Sequence, residues 1–250
     1  ATGLVQQVPA LAGLVFFLNQ KHTLHLTRFT MHTKELIQAC YNGSSEMVNQ
    51  LSNAVITFLF NIILMRLAGP NGVAAITILL YGQFLFNAFY LGFSIGISPI
   101  VGYQYGAGNR KELKSIYRIS FLFVSISSVI IAFAAGYLST SIVTIFTDDP
   151  GTYALAVTGF GIFAYNFLFS GFNIVSSGFF TALSNGKVSA IISFCRTLLF
   201  TVISLLVLPQ FFGVNGAWLA IPVAEFVTLL LCIGMHRKYF YVEGKQNYFH

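Results

Sequence analysis

Polar side chains recur at helical spacing inside apolar stretches of this sequence. Residues three or four apart share one face of a helix. One line begins with a carboxylate and continues through amides and a hydroxyl, at Glu46, Gln50, Asn53, Thr57 and Asn61. Two further lines are Gln83, Asn87, Tyr90, Ser94 and Ser98, and Asn166, Ser170, Asn173, Ser177 and Ser184. They predict either hydrogen bonds between helices or a passage open to water, and their full-helix length favours the passage.

Two carboxylates in these stretches could bind a proton or a cation. Glu46 follows Ser44 and Ser45, so it is either a favourable charge in a first helical turn or a group at the mouth of the passage. Glu225 lies about 16 Å from the end of its helix, and Arg196 lies about 14 Å along the preceding helix. The two depths match and consecutive antiparallel helices pack together, so we predict a buried ion pair between Arg196 and Glu225. Its role would be either structural or ion-coupling.

The elements that carry these residues must lie in lipid. The chain of 250 residues is 56% hydrophobic and 8% charged, whereas soluble domains carry about 25% charged residues. A membrane-spanning helix needs about 20 mostly apolar residues. The runs that approach or exceed this length are Thr2–Leu18, Ser45–Leu67, Val73–Val101, Ile119–Phe146, Thr152–Leu183, Val188–Phe212 and Val214–Met235. They lack the period-two alternation of membrane barrels, so we predict an all-α polytopic membrane protein.

The positive charges indicate the orientation of these helices. Of the 13 Lys and Arg residues, all but Arg66 fall on one side if the chain crosses the membrane seven times. The positive-inside rule places that side and the C-terminus in the cytoplasm, and we expect a bacterial plasma membrane. The net charge of +6 therefore reflects topology. No nucleic-acid partner is expected, because the basic residues form no continuous patch.

The third run has three local features. Pro99 is expected to break its helix near the cytoplasmic end, because proline lacks the N–H of a helical hydrogen bond. Gly92 and Gly96 form a GxxxG motif that allows close helix contact. The segment GYQYGAGNRKELKS that follows this run lacks the GK[ST] ending of a nucleotide phosphate loop. Its basic residues instead suit the anionic inner leaflet.

No metal site, resident cofactor or catalytic residue is predicted. The three cysteines lie far apart, without a CxxC spacing, which disfavours a zinc site and a disulfide framework. Three histidines, His22, His25 and His32, lie between the first two apolar runs, and no Cys or carboxylate spacing there completes a metal site. We interpret Asp148 and Asp149 as a solvated turn. A membrane enzyme is disfavoured because no spaced aspartate motif or nucleophile dyad occurs.

Several motifs occur in a fixed order along the chain. They are GISPIVGYQYGAGNRKELKS (Gly96–Ser115), FTDDP (Phe146–Pro150), VSSGFFTALSNGK (Val175–Lys187) and NGAWLAIPVAEF (Asn215–Phe226). Together, in this order and spacing, they resemble the C-terminal lobe of multidrug and toxic compound extrusion (MATE) transporters. The resemblance runs from about residue 35 to residue 238. It implies a two-lobe, twelve-helix transporter, of which this chain holds a six-helix C-terminal lobe plus one preceding helix.

The expected domain organisation follows from this resemblance. Residues 1–19 would be the last helix of the N-terminal lobe, which otherwise lies outside this sequence. Residues 20–43 would form a cytoplasmic connection between the lobes, with an amphipathic segment at the membrane surface. Residues 44–238 would form the six-helix lobe, and residues 239–250 a cytoplasmic tail.

The resemblance also implies a function. MATE transporters export organic cations or other small amphiphiles by alternating access, driven by H⁺ or Na⁺ entry. The expected partners are therefore such substrates, membrane lipid and the N-terminal lobe. Two alternatives stay open: a lipid or lipid-linked saccharide flippase of the same superfamily, and a seven-helix membrane receptor, which the lack of an NPxxY motif disfavours.

The family's ion-binding carboxylates match this sequence incompletely. In some members such a carboxylate lies near the position of Ser52, and the helix Thr152–Leu183 contains no acid. We therefore expect Glu46 or Glu225 to exchange the coupling ion. Aromatic residues expected to contact a substrate are Phe84, Phe86, Phe89 and Tyr165. The candidate pathway residues are Glu46, Gln50, Asn53, Gln83, Asn87, Asn166, Asn173, Arg196 and Glu225.

Overall fold

The computed structural model describes the backbone of residues 33–241 and 248, and the side chains of residues 33, 51–241 and 248. The described chain is helical. Its α-helices are α1 (Thr33–Gly106), α2 (Arg110–Tyr137), α3 (Ser139–Phe146), α4 (Pro150–Phe163), α5 (Phe167–Ala182), α6 (Gly186–Phe194) and α7 (Phe200–His236). A 3₁₀ turn (Ala164–Asn166) joins α4 to α5, and π-helical turns occupy Cys195–Leu199 and Arg237–Tyr241.

The described residues contain four apolar segments long enough to cross a membrane. These segments are Leu51–Gly106, Arg110–Tyr137, Pro150–Ala182 and Gly186–Tyr241. Together with the absence of strands in residues 33–241, they confirm the predicted all-α membrane architecture. The helix predicted at residues 1–19 lies outside the described residues.

Two of the four segments contain a chain break at a glycine. Gly69 has φ 65° and ψ −156°, and Gly213 has φ 55° and ψ −132°. These positive φ values fall in a region that is essentially restricted to glycine. Pro70 follows the first break, where a proline suits the start of the next helix. Each 56-residue segment therefore holds two helices, at the positions predicted for connections.

Three predicted boundaries differ from the structure. α1 continues through Pro99 to Gly106, and the connection to α2 is only the turn 107–109. Proline is tolerated within membrane helices because neighbouring groups satisfy the freed carbonyl. The run predicted as one helix over 119–146 is divided at Leu138 into α2 and α3.

Polar side chains cap the starts of several helices. The Asn109 side chain accepts a hydrogen bond from the Glu112 backbone N–H at the start of α2. Asp149 accepts from the Thr152 backbone N–H at 2.7 Å at the start of α4. That hydrogen bond lowers the pKa of the Asp149 carboxyl. Asp148 and Asp149 are exposed, which agrees with the predicted solvated turn.

Close contacts at glycines bring the second half of α1 against α4 and α5. A Cβ added at Gly82 would lie 2.5 Å from the Phe160 ring, and one at Gly171 would lie 2.6 Å from the Tyr90 ring. Gly92 and Gly96, by contrast, have nothing within 4 Å of an added Cβ. The close helix contact predicted at the GxxxG motif therefore has no partner among the described residues, and it stays a prediction.

The chain divides into two compact units, residues 1–44 and 45–250. In the first unit the described residues, 33–44, have a helical backbone. The second unit has one buried cluster around Phe60, Phe160 and Trp218, and another around Phe180 and Phe240. These clusters fix the helices of the second unit relative to one another.

Candidate functional site

A buried ion pair lies inside the second unit. Arg196 Nε donates to Glu225 Oε1 at 2.8 Å. The Glu225 side chain is 5% exposed and the Arg196 side chain is 19% exposed. The ion pair predicted from helical rise is therefore confirmed, whereas a role for it in ion movement stays a prediction.

Asn173 of α5 completes the surroundings of the Glu225 carboxylate. Its side-chain amide donates to Glu225 Oε2 at 2.6 Å and to the Glu225 backbone oxygen at 2.8 Å. Asn173 is fully buried, and its own side-chain oxygen has no hydrogen-bond partner among the described residues. Each carboxylate oxygen of Glu225 thus accepts one hydrogen bond, from a different neighbouring helical segment.

The position of Arg196 depends on a local departure from α-helical geometry. Residues Cys195–Leu199 form a π-helical turn. The Thr201 hydroxyl donates to the Arg196 backbone oxygen at 2.8 Å, five residues back. Such single π turns inside α-helices are frequent at functional sites, where they redirect a side chain. We call Asn173, Arg196 and Glu225 the ion-pair cluster.

A ladder of hydroxyl groups lies between α5 and α6. Ser177 Oγ lies 2.9 Å from Ser189 Oγ and 2.8 Å from Ser193 Oγ. Thr181 Oγ1 lies 2.7 Å from Ser189 Oγ. Each of these hydroxyls can donate or accept, so the ladder links the two helices without a fixed charge.

Part of the polar line predicted on residues 166–184 is buried and joins helices. Asn166, Ser170 and Asn173 are each 0% exposed. Ser170 Oγ donates to Asn87 Oδ1 at 3.1 Å, and the Asn166 amide donates to the Phe163 backbone oxygen at 2.7 Å. Among the described residues, these three side chains are enclosed by other helices and line no open passage.

The other predicted pathway residues are not part of the ion-pair cluster. Gln83 and Asn87 are half-buried, and Asn53 is exposed. The side chains of Glu46 and Gln50 lie outside the described residues, so their predicted roles stay predictions. Among the described pathway residues, those that the structure brings into direct contact are Asn173, Arg196 and Glu225.

The aromatic residues predicted to contact a substrate have different surroundings. Phe84 and Tyr165 are 72% and 62% exposed. Phe86 packs against Phe167 with ring centroids 5.0 Å apart. Phe89 is 46% exposed. Surface on three of these four rings is thus available to lipid or to another molecule.

A buried histidine cluster that was not predicted from the sequence lies near the end of α7. His236 Nε2 lies 2.9 Å from Ser176 Oγ, and Nδ1 lies 3.3 Å from the Tyr117 hydroxyl. The rings of Phe121, Phe180 and Phe240 surround it, with centroids 5.0–5.3 Å away. In the sequence, His236 only indicated where the last apolar run ends, and its partners come from distant helices.

The comparisons with known proteins agree with the resemblance seen in the sequence. The family model MatE matches residues 47–206. A crystal structure of MATE in complex with MaL6 covers 94% of this chain at 19% identity, with a TM-score of 0.80. An outward-facing multidrug resistance MATE family transporter of the MOP superfamily also covers 94%, at 19% identity and a TM-score of 0.79. No curated protein matches this sequence.

A third solved structure is a MOP superfamily transporter from Pyrococcus furiosus, which covers 94% of this chain at 18% identity with a TM-score of 0.80. At these identities the structural matches show the fold. This chain covers 54% of the length of each of the three structures, which is consistent with the C-terminal lobe implied by its motifs. The family-model match, over more than half of the sequence, shows that the chain belongs to the MatE family of transporters.

Proposed function

We propose that this chain forms half of an efflux transporter for small organic cations or amphiphiles, and that H⁺ or Na⁺ drives export by alternating access. The observation that carries this proposal is the ion-pair cluster. Glu225 is the one buried carboxylate among residues 51–241. Ionisable groups within membrane helices are costly and usually functional.

A coupling ion would compete with Arg196 for the Glu225 carboxylate, and this competition gives a mechanism for coupling transport to ion entry. A proton or Na⁺ that binds the carboxylate weakens its attraction to Arg196, since opposite charge is what holds the guanidinium there. Arg196 is the more exposed partner, at 19%, so its side chain has access to space outside the cluster. Asn173 stays able to hydrogen-bond Glu225 through the backbone oxygen. Ion binding would thus loosen the contact of Glu225 with Arg196 and retain the contact with α5.

The geometry also explains how a local change would reach the rest of the lobe. Glu225 lies in the half of α7 that follows the Gly213 break, whereas Arg196 lies before it. The ion pair therefore joins two helices that the chain connects only through that glycine. A change in this contact alters how the two helices pack, and such packed interfaces have discrete arrangements that a coupling ion can shift.

Transport by paired-charge variants separates coupling from structural stabilisation. We would measure uptake of a fluorescent organic cation into everted membrane vesicles that contain the full-length protein. Glu225→Gln, Arg196→Gln and the double variant are compared with Asp148→Asn, which removes an exposed carboxylate. If the pair couples ions, the double variant folds but loses ion-driven uptake.

A structural pair gives the opposite result. Removing both charges restores a neutral interior, so the double variant would then regain uptake that the single variants lose. That recovery would overturn the coupling role of Glu225. Absence of cation uptake by the wild type, together with translocation of a labelled lipid, would assign the protein to the flippases instead.

Glu46 stays the second candidate for ion exchange. Its place at the start of a polar line predicts that Glu46→Gln abolishes ion-driven efflux of a fluorescent cation. Wild-type transport by this variant would leave Glu46 as a helix cap.

A further inference from the structure

A groove with a volume of about 550 Å³ lies where two helix-to-helix turns meet the C-terminal end of the described chain. One turn joins α1 to α2, and the other joins α5 to α6. Side chains in its wall include Tyr105, Arg110, Asn185, Lys187, Tyr239 and Tyr248. Among the described residues, no carboxylate lines it.

The two turns are built in the same way. In each, a residue with positive φ ends the helix: Gly108 at 69° and Ser184 at 58°. The next residue is an asparagine, whose backbone N–H donates five residues back, at 3.0 Å for Asn109 and 2.9 Å for Asn185. These hydrogen bonds form a Schellman motif. Each asparagine side chain then caps the following helix.

This shared geometry sets one basic residue beside the groove from each turn. Arg110 is the first residue of α2, and Lys187 is the second residue of α6. The starts of both helices carry partial positive charge from their backbone dipoles, which adds to the charge of the two side chains. The groove therefore has a basic side chain and the start of a helix on two of its sides.

Three tyrosines also line the groove. Asn185 donates to the Tyr248 hydroxyl at 3.0 Å, and the Tyr248 ring packs edge-on against Tyr105 with centroids 5.5 Å apart. Burial raises the pKa of Tyr248, so its hydroxyl stays neutral and adds no negative charge. Tyrosine side chains are typical of the membrane–water interface, with an apolar ring and a polar tip.

We propose that this groove binds the phosphate of an anionic phospholipid headgroup. The turns connect membrane-length apolar helices, so the groove lies at the depth of the headgroups. It is also on the face that the positive-inside rule predicts to be cytoplasmic, and basic pockets between helices on that side bind anionic headgroups. This site is separate from the ion-pair cluster, whose residues do not line it.

Lipid titration of the full-length protein tests the proposal. Native mass spectrometry would count phosphatidylglycerol bound to the detergent-solubilised protein, with zwitterionic phosphatidylcholine as the comparison lipid. Lys187→Gln should lower the affinity for phosphatidylglycerol about fivefold, the effect of one basic side chain near a membrane surface. Lys187→Arg should retain binding because it keeps the charge.

Lys111→Gln is the matched control. It removes the same charge from an exposed residue of the same face that does not line the groove, and it should leave the affinity unchanged. Equal losses in Lys111→Gln and Lys187→Gln would show diffuse attraction and overturn the site. Equal binding of both lipids would do the same. Displacement of phosphatidylglycerol by millimolar inorganic phosphate would assign the groove to a soluble anion and overturn the lipid assignment.

Discussion

Replacing Glu225 with Gln should destabilise the folded protein, because it leaves the positive charge of Arg196 without its partner. The two atoms of the ion pair are 2.8 Å apart, and the side chains are 5% and 19% exposed. Breaking a buried pair by removing one member costs about 3–5 kcal/mol. The amide of Gln can still accept the hydrogen bond from Asn173, so we expect Glu225→Gln to lose about 3 kcal/mol of stability.

Thermal unfolding of the detergent-solubilised full-length protein measures this loss. At about 2–4 °C per kcal/mol for a unit of this size, Glu225→Gln should lower the Tm by roughly 6–12 °C. Arg196→Gln should have a similar effect, because it leaves the buried carboxylate of Glu225 unpaired. The lowered Tm would be followed by size-exclusion chromatography after heating.

The double variant Glu225→Gln/Arg196→Gln provides the decisive comparison. Exchanging a buried ion pair for neutral groups is often nearly neutral for stability. We therefore expect the double variant to lose only about 1 kcal/mol. With losses of about 3 kcal/mol in each single variant, this corresponds to a coupling energy of about 5 kcal/mol between the two positions. Additive losses in the double variant would refute the reasoning, since they would mean that the two charges do not stabilise each other.

Two further predictions concern stability away from the ion pair. Gly171→Ala should lower the free energy of unfolding by about 1–3 kcal/mol, because the added Cβ would lie 2.6 Å from the Tyr90 ring. Gly92→Ala should be neutral, because no described atom lies within 4 Å of its added Cβ. Equal Tm values for both variants would contradict the packing of α1 on α5. Asp149→Ala should lower the Tm at pH 7 more than Asp148→Ala. The folded-state pKa of Asp149 is lowered, so its stabilisation is present above the ordinary value of 3.8 and fades as the pH falls through the folded value. A Tm difference that does not shrink in acid would contradict the capping role.

The sequence predicted the elements of the fold because lipid imposes strong limits on composition and length. Apolar runs of about 20 residues and glycine or proline between them are sufficient to locate membrane helices. The breaks at Gly69 and Gly213 follow from this pattern. Pro99 misled because the membrane-helix context tolerates a proline that would end a helix in water.

The candidate site was only partly predictable. Arg196 and Glu225 lie on consecutive helices, so equal depth was enough to pair them. Asn173 lies on a helix that is not adjacent in the sequence to that of Glu225, and its contact depends on packing that periodicity does not report. The same reason explains why the partners of His236 were missed.

Polar periodicity also has two structural meanings that the sequence does not separate. A helix face that carries Asn and Ser can line water or can join another helix. Ser170 and Asn173 face other helices of the lobe, and the solvated passage favoured for this line does not include them in this structure. Which polar faces meet water depends on the arrangement of helices around them.

Measuring ion movement coupled to substrate tests directly whether Glu225 exchanges a cation during transport. The full-length protein would be reconstituted in liposomes that contain a pH- or Na⁺-sensitive dye, and an organic cation would be added on one side. The wild type should move H⁺ or Na⁺ against the substrate, whereas Glu225→Gln/Arg196→Gln, still folded, should not. Equal substrate-dependent ion movement by both proteins would contradict cation exchange at Glu225.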